Sequence, residues 1–399
     1  MGIQAKIAEK RRRVNAAVIA GGGTGGHLFP GIAVAEELKR RQPGSRVVFV
    51  SSGRPLEERV LSAGGFEKAV INVEGIKGRR RMAKLKSSAM LPFGFLQTVR
   101  LLRGARPDVV IGMGGYSAGP VILGAWMLGY PRVICEQNRL PGTTNRILSR
   151  FAQKIYVAYP DTFGGVSGEK VLLTGNPIRR QIIDALLADD NGGPAMPDSS
   201  KTKDSRELPP PTNRFTVLIL GGSQGAHGLN LAMIGGLDHL AEKNNYHFIH
   251  QSGEKDAADV AAAYKEKGFS CTVAPFFEDM AGLYRRADLV ICRSGATTVA
   301  EIAVAGKAAI FVPFPQATDD HQRHNARHLA DVGAAGMILE KDLSARVLAE
   351  SITFYQQNPE ALWDMKAAMK GFGRPDAAEK IVDDIERLLG MVPSTAGAV

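Results

Sequence analysis

Short apolar runs alternate with longer amphipathic stretches along the first half of the chain. The runs are continuous, as expected for strands that a parallel sheet buries on both faces. They predict strands at Val14 to Ala20, Val47 to Ser51, Val70 to Val73, Val109 to Gly112 and Arg132 to Cys135. Gly31 to Arg41 places Ile32, Ala35 and Leu38 at helical spacing, so a helix follows the first strand. Strands separated by helices in this way indicate βαβ units.

The same pattern restarts after a change in composition. Residues 188–214 are rich in Asn, Gly, Pro, Ser, Lys and Asp, which is typical of a linker or a disordered surface insertion. Beyond them a helix is predicted at Gly228 to Leu240, and strands are predicted at Phe215 to Leu220, Tyr246 to His250, Cys271 to Ala274, Leu289 to Cys292 and Ala309 to Pro313. We therefore predict an α/β protein with two Rossmann-like domains.

Length, charge and cysteine content narrow the classes of function. The 399 residues suit two domains, and 50 Lys and Arg against 40 Asp and Glu give a formal net charge of +10. That charge favours nucleic acid, a phosphate-bearing substrate or an anionic lipid surface as partner. The isolated Cys135, Cys271 and Cys292 argue against a disulfide framework or a zinc site. The longest apolar segment, Val121 to Tyr130, is short of the roughly 20 residues that span a bilayer, so no transmembrane segment is predicted.

A glycine-rich loop, residues 21–26, separates the first strand from the first helix. Its Gly21-x-Gly23-x-x-Gly26 spacing matches a dinucleotide fingerprint and directs backbone N–H groups at an anion. A nicotinamide site also needs an acidic residue at the end of the second strand, where Ser51-Ser52-Gly53-Arg54 would suit an NADP phosphate at most. His27 begins the helix, whose N-terminus favours a neutral imidazole, so we predict that it is a general base rather than a structural histidine.

Other polar and glycine-rich clusters follow strands at the carboxyl edge, where open α/β sheets bind ligands. In residues 112–120, Gly114, Gly115, Tyr116 and Ser117 predict a backbone-lined wall that a phosphate or a sugar can approach closely. Asn138, two residues after Glu136, offers an amide suited to sugar hydroxyls.

The second half repeats this arrangement. Ser223 lies in the second glycine loop, residues 221–225, where it can hydrogen-bond a diphosphate. Residues 293–301 run from a strand end into a helix; they are interpreted either as an ordinary N-cap and first turn or as a nucleotide site in which Glu301 accepts from two ribose hydroxyls. Gln322 follows Asp319-Asp320-His321, which is either a sugar-binding segment or a solvated loop.

Residues 75–107 contain no acidic residue and combine cations with apolar side chains. This composition is typical of a surface that lies on an anionic membrane, although a solvated charged face and nucleic acid are the alternatives. The aromatic residues belong to an apolar cluster and no nucleic-acid-binding motif is present, so we predict membrane contact and no nucleic acid. The candidate surface comprises Lys77, Arg79, Arg80, Arg81, Lys84, Lys86, Phe93 and Phe95.

Taken together, these motifs resemble those of the MurG family of N-acetylglucosaminyltransferases. The resemblance rests on GGTGGHLFPG from Gly22, GMGGYSAGP from Gly112, EQN from Glu136, GNPIR from Gly175, GGSQGA from Gly221 and RSGATTVAE from Arg293. It implies a GT-B fold, with two domains facing a central cleft, and inverting transfer of N-acetylglucosamine from UDP-GlcNAc to the MurNAc 4-hydroxyl of lipid I. No cofactor or metal is implied, and the protein is expected at the cytoplasmic face of the bacterial inner membrane as a peripheral protein.

The resemblance also assigns domains and site residues. The acceptor- and membrane-binding domain is expected at residues 1–176 and the UDP-GlcNAc-binding domain at 177–375; residues 376–399 are expected to form a helix that packs back on the first domain, followed by a disordered tail. His27 would be the base, and Gly114, Gly115, Tyr116 and Ser117 would bind the acceptor diphosphate. The donor would contact Thr24, Gly25, Gly26, Asn138, Arg179, Ser223, Phe277, Ala296, Thr297, Thr298, Val299, Ala300, Glu301 and Gln322.

Two other hypotheses stay open on the sequence. The first is a different enzyme on the same scaffold, either a UDP-GlcNAc 2-epimerase or another lipid glycosyltransferase, although the basic apolar segment argues against the epimerase. The second is a non-catalytic module that binds nucleic acid or an anionic membrane.

Overall fold

The computed structural model describes residues 13–22, 25–71, 81–166, 168–188, 213–222 and 225–391, without the side chains of residues 56 and 81–92. Within this part the chain forms two compact units. The first, unit 1, contains the described residues up to Arg179 and those from Pro375 onward, and the second, unit 2, is Arg180–Arg374. The sequence predicts these divisions at 176/177 and 375/376. Nearly all of the predicted insertion at 188–214 lies outside the described residues, as does the tail after residue 391.

Unit 1 is built on a parallel sheet with the order β3-β2-β1-β4-β5-β6-β7. The chain leaves β1 in one direction to form β2 and β3, and returns to the other side of β1 to form β4 onward. The carboxyl ends of β1 and β4 therefore form the switch point at which such sheets bind ligands. The strands are β1 Ala16–Ala20, β2 Arg46–Ser51, β3 Glu67–Val70, β4 Val109–Gly112, β5 Arg132–Glu136, β6 Lys154–Val157 and β7 Val171–Leu173.

Unit 2 repeats the arrangement with the parallel order β10-β9-β8-β11-β12-β13. Its switch point lies between β8 and β11, again where a glycine-rich loop leaves the sheet. The strands are β8 Phe215–Leu220, β9 Tyr246–Gln251, β10 Ser270–Ala274, β11 Leu289–Cys292, β12 Ala308–Phe311 and β13 Gly336–Met337. Each of the two sheets thus has its switch point between the first strand of its unit and the strand that returns beside it.

Helices connect the strands and cover both faces of each sheet. In unit 1 they are α1 Gly25–Arg41, α2 Pro55–Ala63, α3 Arg81–Ala105, α4 Gly115–Met127, α5 Thr143–Leu148 and, near the end of the chain, α14 Ala377–Leu388. In unit 2 they are α6 Arg180–Leu187, α7 His227–Gly236, α8 Ala257–Glu266, α9 Met280–Arg286, α10 Ala296–Ala305, α11 His321–Ala330, α12 Ala345–Gln357 and α13 Pro359–Lys370.

Each unit has an apolar cluster on either face of its sheet. In unit 1, Ile19 and Ile111 contribute to one cluster, and Val18 and Val110 contribute to the other. Neighbouring residues of one strand thus enter opposite clusters, because successive side chains point to opposite faces. This double burial explains why the central strands are continuous apolar runs.

The edges of the sheets are where the predicted elements differ from the structure. The strand predicted at Val70 to Val73 is wrong in position, since β3 is Glu67–Val70. β3 is an edge strand with mostly exposed side chains, and Glu67 pairs with Arg46 of β2 at 2.8 Å, so hydrophobicity does not mark it. The sequence pattern does not predict the short strands β6, β7 and β13. The helix predicted to reach Leu240 ends at Gly236 and continues as a 3-10 turn.

The helix α14 packs on α1 of unit 1 although it follows all of unit 2 in the chain. Its apolar residues Ile381, Val382 and Ile385 are fully buried in the cluster that contains Ile19. Its acidic face meets the end of α1: the Arg41 guanidinium contacts Asp383 Oδ1 at 2.6 Å and Glu386 Oε2 at 3.1 Å.

Candidate functional site

The first glycine loop meets the glycine cluster after β4 at the switch point of unit 1. The Gly22 N–H donates to the buried Ser117 Oγ at 3.3 Å, which joins the end of β1 to the first turn of α4. Gly114 has φ of +94° and Gly115 has φ of +75°, conformations that favour glycine. The predicted acceptor-diphosphate residues thus begin a helix of 13 residues whose N-terminal N–H groups attract anions.

The imidazole of His27 lies directly against this glycine turn. A Cβ atom at Gly114 would come within 3.0 Å of His27 Nε2, and one at Gly115 would come within 2.9 Å of the Gly22 carbonyl. The absence of a side chain at Gly114 therefore makes room for the ring, and its absence at Gly115 makes room for the Gly22 carbonyl. The structure brings together His27, Gly114, Gly115 and Ser117, with Tyr116 45% exposed beside them.

A buried carboxylate organises the segment after β5. Glu136 accepts hydrogen bonds from Asn138 N at 3.0 Å, Gly142 N at 3.0 Å and Asn145 Nδ2 at 2.9 Å. Burial raises the pKa of Glu136, and the hydrogen bonds oppose that rise only in part. The Asn138 side chain also donates to Glu136, at 3.2 Å. The predicted sugar-binding amide is thus held by the glutamate two residues before it.

A second buried carboxylate, Glu57, lies beside the first glycine loop and is not marked by any motif in the sequence. It accepts from Ser52 N at 2.8 Å and Ser52 Oγ at 3.0 Å, and it contacts the Ser51 hydroxyl. A Cβ at Gly22 would lie 2.6 Å from Glu57 Oε1. Because its side chain is only 2% exposed and holds the end of β2, Glu57 is not available to a dinucleotide ribose.

Arg179, predicted to contact the nucleotide, stacks on an aromatic ring of unit 1. Its guanidinium carbon lies 4.6 Å from the centroid of the Phe29 ring. Phe29 belongs to α1, two residues after His27, and a Cβ at Gly25 would contact its ring at 3.1 Å. Arg179 and the first glycine loop therefore share Phe29 as a neighbour.

In unit 2, one glutamine joins the second glycine loop to the predicted uracil-binding position. Gln251 Nε2 donates to the Gly222 carbonyl at 3.1 Å, and Gln251 Oε1 accepts from Phe277 N at 3.1 Å. Gly225 has φ of +77°, and a Cβ there would lie 2.5 Å from the Ser252 carbonyl oxygen. The loop is thus packed tightly on the end of β9.

The predicted nucleotide segment, Ala296 to Glu301 with Thr297, Thr298, Val299 and Ala300, forms the start of α10. Gly295 is its N-cap, and the side chain of Glu301 is buried and accepts from Tyr284 Oη at 3.0 Å. Thr297 Oγ1 is buried without a hydrogen-bond partner among the described residues. The N-terminus of α10 therefore places first-turn N–H groups that have no intrahelical partner, and a buried threonine hydroxyl, at the carboxyl end of β11.

Gln322 lies in the first turn of α11, and its Oε1 accepts from Phe314 N at 3.0 Å. Ser294 Oγ donates to the Gln322 carbonyl at 2.8 Å, which joins this turn to the segment before α10. Two nearby residues, Asp319 and Asp320, have φ of +55° and +54°, a strained conformation for non-glycine residues that is frequent at binding sites. The structure thus brings Gln322 to the segment that leads into Ala296.

Several predicted residues lie outside what the structure describes. These are Thr24, Ser223, Lys77, Arg79 and Arg80, together with the side chains of Arg81, Lys84 and Lys86 at the start of α3. Of the two phenylalanines on α3, Phe93 is 57% exposed, whereas Phe95 is half-buried and faces Gly124 of α4, where an added Cβ would lie 3.9 Å from the Phe95 ring. Of this pair, only Phe93 is thus well exposed.

Neither a metal centre nor a membrane-spanning helix is found among the described residues. No group of three or more His, Cys, Asp or Glu side chains in the described ranges is arranged to hold a metal ion. No helix in the same part of the chain has the length and apolar character needed to cross a membrane.

Comparison with known proteins identifies the family. Residues 17–157 match the glycosyltransferase family 28 N-terminal domain, and residues 216–381 match the glycosyltransferase family 28 C-terminal domain. The chain belongs to glycosyltransferase family 28. The prediction of a glycosyltransferase is thereby confirmed, and the relatives described next confirm the MurG-like resemblance of its motifs.

Relatives within family 28 share most of their length with this chain. A protein of Myxococcus xanthus is 43% identical over 92% of this chain and 91% of its own, and one of Syntrophus aciditrophicus is 46% identical over 92% and 96%. Both are named UDP-N-acetylglucosamine--N-acetylmuramyl-(pentapeptide) pyrophosphoryl-undecaprenol N-acetylglucosamine transferase. The crystal structure of Acinetobacter baumannii MurG is similar with a TM-score of 0.74 and 34% identity over 93% of this chain and 99% of that one.

A likeness in fold extends beyond family 28. The UDP-GlcNAc 2-epimerase of Neisseria meningitidis superimposes with a TM-score of 0.63 at 14% identity, over 93% of this chain and all of that one. At this identity the likeness concerns the fold alone. The predicted fold class, two Rossmann-like domains of the GT-B type, is confirmed.

Proposed function

We propose that this family 28 enzyme transfers N-acetylglucosamine from UDP-GlcNAc to the MurNAc 4-hydroxyl of undecaprenyl-pyrophosphoryl-MurNAc-pentapeptide, with inversion at the anomeric carbon. The product would be lipid II, a precursor of peptidoglycan. Relatives of 43% and 46% identity that carry this activity in their names support the choice of substrates. The observation that carries the mechanism is the position of His27 against the Gly114–Gly115 turn.

On the acceptor side, unit 1 offers a base beside an anion site. The N-terminal N–H groups of α4, with Gly114, Gly115, Tyr116 and Ser117, would bind the acceptor diphosphate. His27 Nε2, which lies over Gly114, would then take the proton of the MurNAc 4-hydroxyl. Glycine at both positions allows phosphate oxygens and the imidazole to occupy the same small region.

On the donor side, unit 2 offers two anion-binding segments and two polar ones. Ser223 and the second glycine loop would bind the donor diphosphate, and the first-turn N–H groups of Ala296 to Thr298, with Val299 and Ala300 next to them, would bind the phosphate and ribose. Glu301 would accept from the ribose hydroxyls, the backbone at Phe277 would contact uracil, and the amide nitrogen of Gln322 would donate to the sugar. From the resemblance of the motifs, we also propose that Thr24, Gly25, Gly26, Asn138 and Arg179 contact the donor.

The reaction requires one displacement. As His27 removes the proton, the 4-oxygen forms its bond to the anomeric carbon from the face opposite UDP, and the bond from that carbon to the diphosphate oxygen breaks. The negative charge that develops on the diphosphate would be stabilised by the N–H groups and dipoles at the loop and helix N-termini. No covalent enzyme intermediate is needed.

The decisive test is transfer by the purified full-length chain. We expect labelled N-acetylglucosamine to move from UDP-GlcNAc to a lipid I analogue, with release of UDP in equal amount and a β linkage in the product. Release of UDP together with free N-acetylmannosamine, in the absence of acceptor, would instead identify an epimerase. A folded preparation that produces neither product would contradict both enzymes and favour a binding module.

We also propose peripheral binding at the cytoplasmic face of the bacterial inner membrane, through the candidate surface at residues 77–95. Two features support this surface. Residues 75–107 are free of acidic residues in the sequence, and Phe93 and Leu96 of α3 are exposed, as are Trp126 and Met127 at the end of the neighbouring α4. Apolar side chains next to cations bind anionic membranes through both burial and charge.

Vesicle flotation tests this membrane surface. The chain should float with phosphatidylglycerol vesicles and much less with phosphatidylcholine vesicles, and Phe93→Glu should weaken flotation several-fold. Phe354→Glu, at a comparably exposed position in unit 2, is the matched control and should have no effect. Equal flotation of the Phe93 variant and the unaltered chain would count against this surface.

A further inference from the structure

The end of β9 lies between two segments that continue from the neighbouring strands of the sheet. β9 lies between β8 and β10, and Gln251, its last residue, is in register with Leu220 at the end of β8 and with Ala274 at the end of β10. β8 continues into the second glycine loop and β10 into the segment that contains Phe277. The three strand ends are therefore adjacent, and Gln251 lies in the middle.

The side chain of Gln251 bridges the two flanking segments. Its nitrogen donates to the Gly222 carbonyl at 3.1 Å and its oxygen accepts from the Phe277 N–H at 3.1 Å. Because a carbonyl can only accept and an N–H can only donate, the orientation of the amide is fixed. The side chain is 3% exposed, so loss of either contact would leave a buried polar group unpaired.

Backbone hydrogen bonds at the same level hold the bridge in place. Gly221 N donates to the Gln251 carbonyl at 3.1 Å, and Ser252 N donates to the Ala274 carbonyl at 3.1 Å. Ser252 packs against the other end of the glycine loop, at Gly225. A Cβ at Gly225 would lie only 2.5 Å from the Ser252 carbonyl oxygen. Both ends of the loop are thus located relative to the end of β9.

A network of hydrogen-bonded polar side chains holds Ser252 in place. Asn230 Nδ2 donates to the Ser252 carbonyl at 2.9 Å and to Asp256 Oδ2 at 2.7 Å, so Asn230 Oδ1 faces His250 Nε2 at 3.0 Å. His250 Nε2 must then carry the proton, and Nδ1 accepts from Tyr264 Oη at 3.2 Å. Each of the polar groups named here has a hydrogen-bond partner, so the network holds the end of β9 rigidly.

We infer that Gln251 is a positioning residue that couples the diphosphate loop to the base-recognition segment, and that it thereby sets both the affinity for the donor nucleotide and the preference for uracil. The inference rests on the proposed function, in which the loop holds the diphosphate and the backbone at Phe277 contacts the base. A shift of either segment changes the distance between the two recognition points. UDP spans both points, whereas a phosphate group alone engages only one.

Two substitutions separate the effects of the bridge. Gln251→Met keeps the length of the side chain and removes both hydrogen bonds, and Gln251→Glu keeps the acceptor but removes the donor to Gly222. We expect the Kd for UDP, measured by calorimetry, to rise at least tenfold in both variants. The preference for UDP over CDP should narrow at least threefold, and kcat at saturating donor should fall much less than KM rises.

His247→Gln provides the matched control. His247 lies on the same strand at its other end, where Nδ1 contacts Ser270 Oγ at 2.8 Å, so its replacement perturbs β9 away from the bridge. This variant should lose some thermal stability and retain the UDP affinity and the base preference of the unaltered chain. A general loss of stability would change all three variants alike, which would overturn a specific role for Gln251.

The outcomes distinguish this inference from the proposed function. If the unaltered chain binds UDP and transfers the sugar while Gln251→Met and Gln251→Glu keep the same affinity and base preference, the inference is wrong and the proposed function stands. If the unaltered chain binds no UDP and transfers no sugar, the proposed function itself fails and the inference fails with it. If the methionine variant does not fold, the glutamate variant alone decides.

Discussion

At the residue scale, the most informative contact is that of His27 with a glycine turn. The imidazole occupies space that any side chain at Gly114 would fill, so the ring and the turn are fitted to one another. A base that is held by backbone on one side has few alternative rotamers. The position of its nitrogen is therefore set before a substrate arrives, which lowers the cost of aligning the acceptor hydroxyl.

His27→Ala should lower kcat for sugar transfer by roughly 10²- to 10⁴-fold, the usual contribution of a general base. Affinity for UDP should remain within about twofold, because the proposed role concerns the acceptor proton. Steady-state kinetics with a lipid I analogue and calorimetry with UDP measure the two quantities. Undiminished kcat in the folded variant would remove His27 from the mechanism.

A second histidine, His250, concerns stability instead of chemistry. Burial lowers the pKa of His250 to about 3, from an ordinary value of 6.5. Between these values the unfolded chain binds a proton at this position that the folded chain excludes. Protons therefore favour unfolding, and the contribution to the free energy of unfolding falls by up to about 1.4 kcal/mol for each pH unit below 6.5.

His250→Gln should reduce the free energy of unfolding at pH 7 but weaken its decline between pH 7 and pH 4. Urea denaturation of the unaltered chain and the variant across this range gives the comparison. His324→Gln, at an exposed position of α11, is the control and should keep the steep decline. Parallel pH profiles for the unaltered chain and the His250 variant would contradict the expected linkage.

At the scale of the elements, the second glycine loop depends on one close approach. Gly225 combines φ of +77° with a contact that leaves no room for a Cβ beside the Ser252 carbonyl. Gly268, which follows α8, has a similar φ of +74°, but no described atom lies within 4 Å of its added Cβ. Substitution of Gly268 therefore tests backbone strain alone, whereas substitution of Gly225 tests strain together with the steric clash.

Gly268→Ala should cost about 1 kcal/mol of stability through strain alone. Gly225→Ala should cost more, because the loop must also move off the end of β9, and its UDP affinity should fall tenfold or more. Thermal unfolding with and without UDP measures both effects. Equal losses of stability and unchanged UDP affinity in the two variants would show that the close approach is unimportant.

The elements of the fold differ in how well the sequence predicts them. The central strands are predictable because burial on two faces selects continuous apolar runs, and both glycine loops are predictable because close approaches at Gly22 and Gly225, with a positive φ at Gly225, leave direct marks in residue type. The sequence places β3 too late, since its exposed side chains carry no such mark. The bridges made by Glu57 and Gln251 could not be predicted, because they depend on which strands become neighbours and on their register.

At the scale of the whole molecule, unit 1 is assembled from two distant stretches of chain. Ile381 of α14 is fully buried in the same cluster as Ile19 of β1. Such a contact stabilises the fold as much as a contact between sequence neighbours. The free energy gained depends on the apolar area that is buried and not on the separation of the residues along the chain. The stability of unit 1 should therefore respond to substitutions in α14.

Ile381→Ala should destabilise unit 1 by roughly 2–5 kcal/mol, the range for truncating a fully buried isoleucine. Hydrogen exchange followed by mass spectrometry should show faster exchange in β1 and little change in β8. Ile352→Ala, at an equally buried position in unit 2, should give the reverse pattern. Faster exchange in β8 than in β1 after substitution of Ile381 would contradict the assignment of α14 to unit 1.

The placement of α14 also has a consequence for biosynthesis. A ribosome produces residues 377–388 only after all of unit 2 has been made, so the face of α1 that α14 covers stays exposed to water while about 200 further residues are added. Unit 2 is continuous in the chain and can close its own core first. The N-terminal part of unit 1 would thus stay incompletely folded, and accessible to chaperones, until α14 is synthesised.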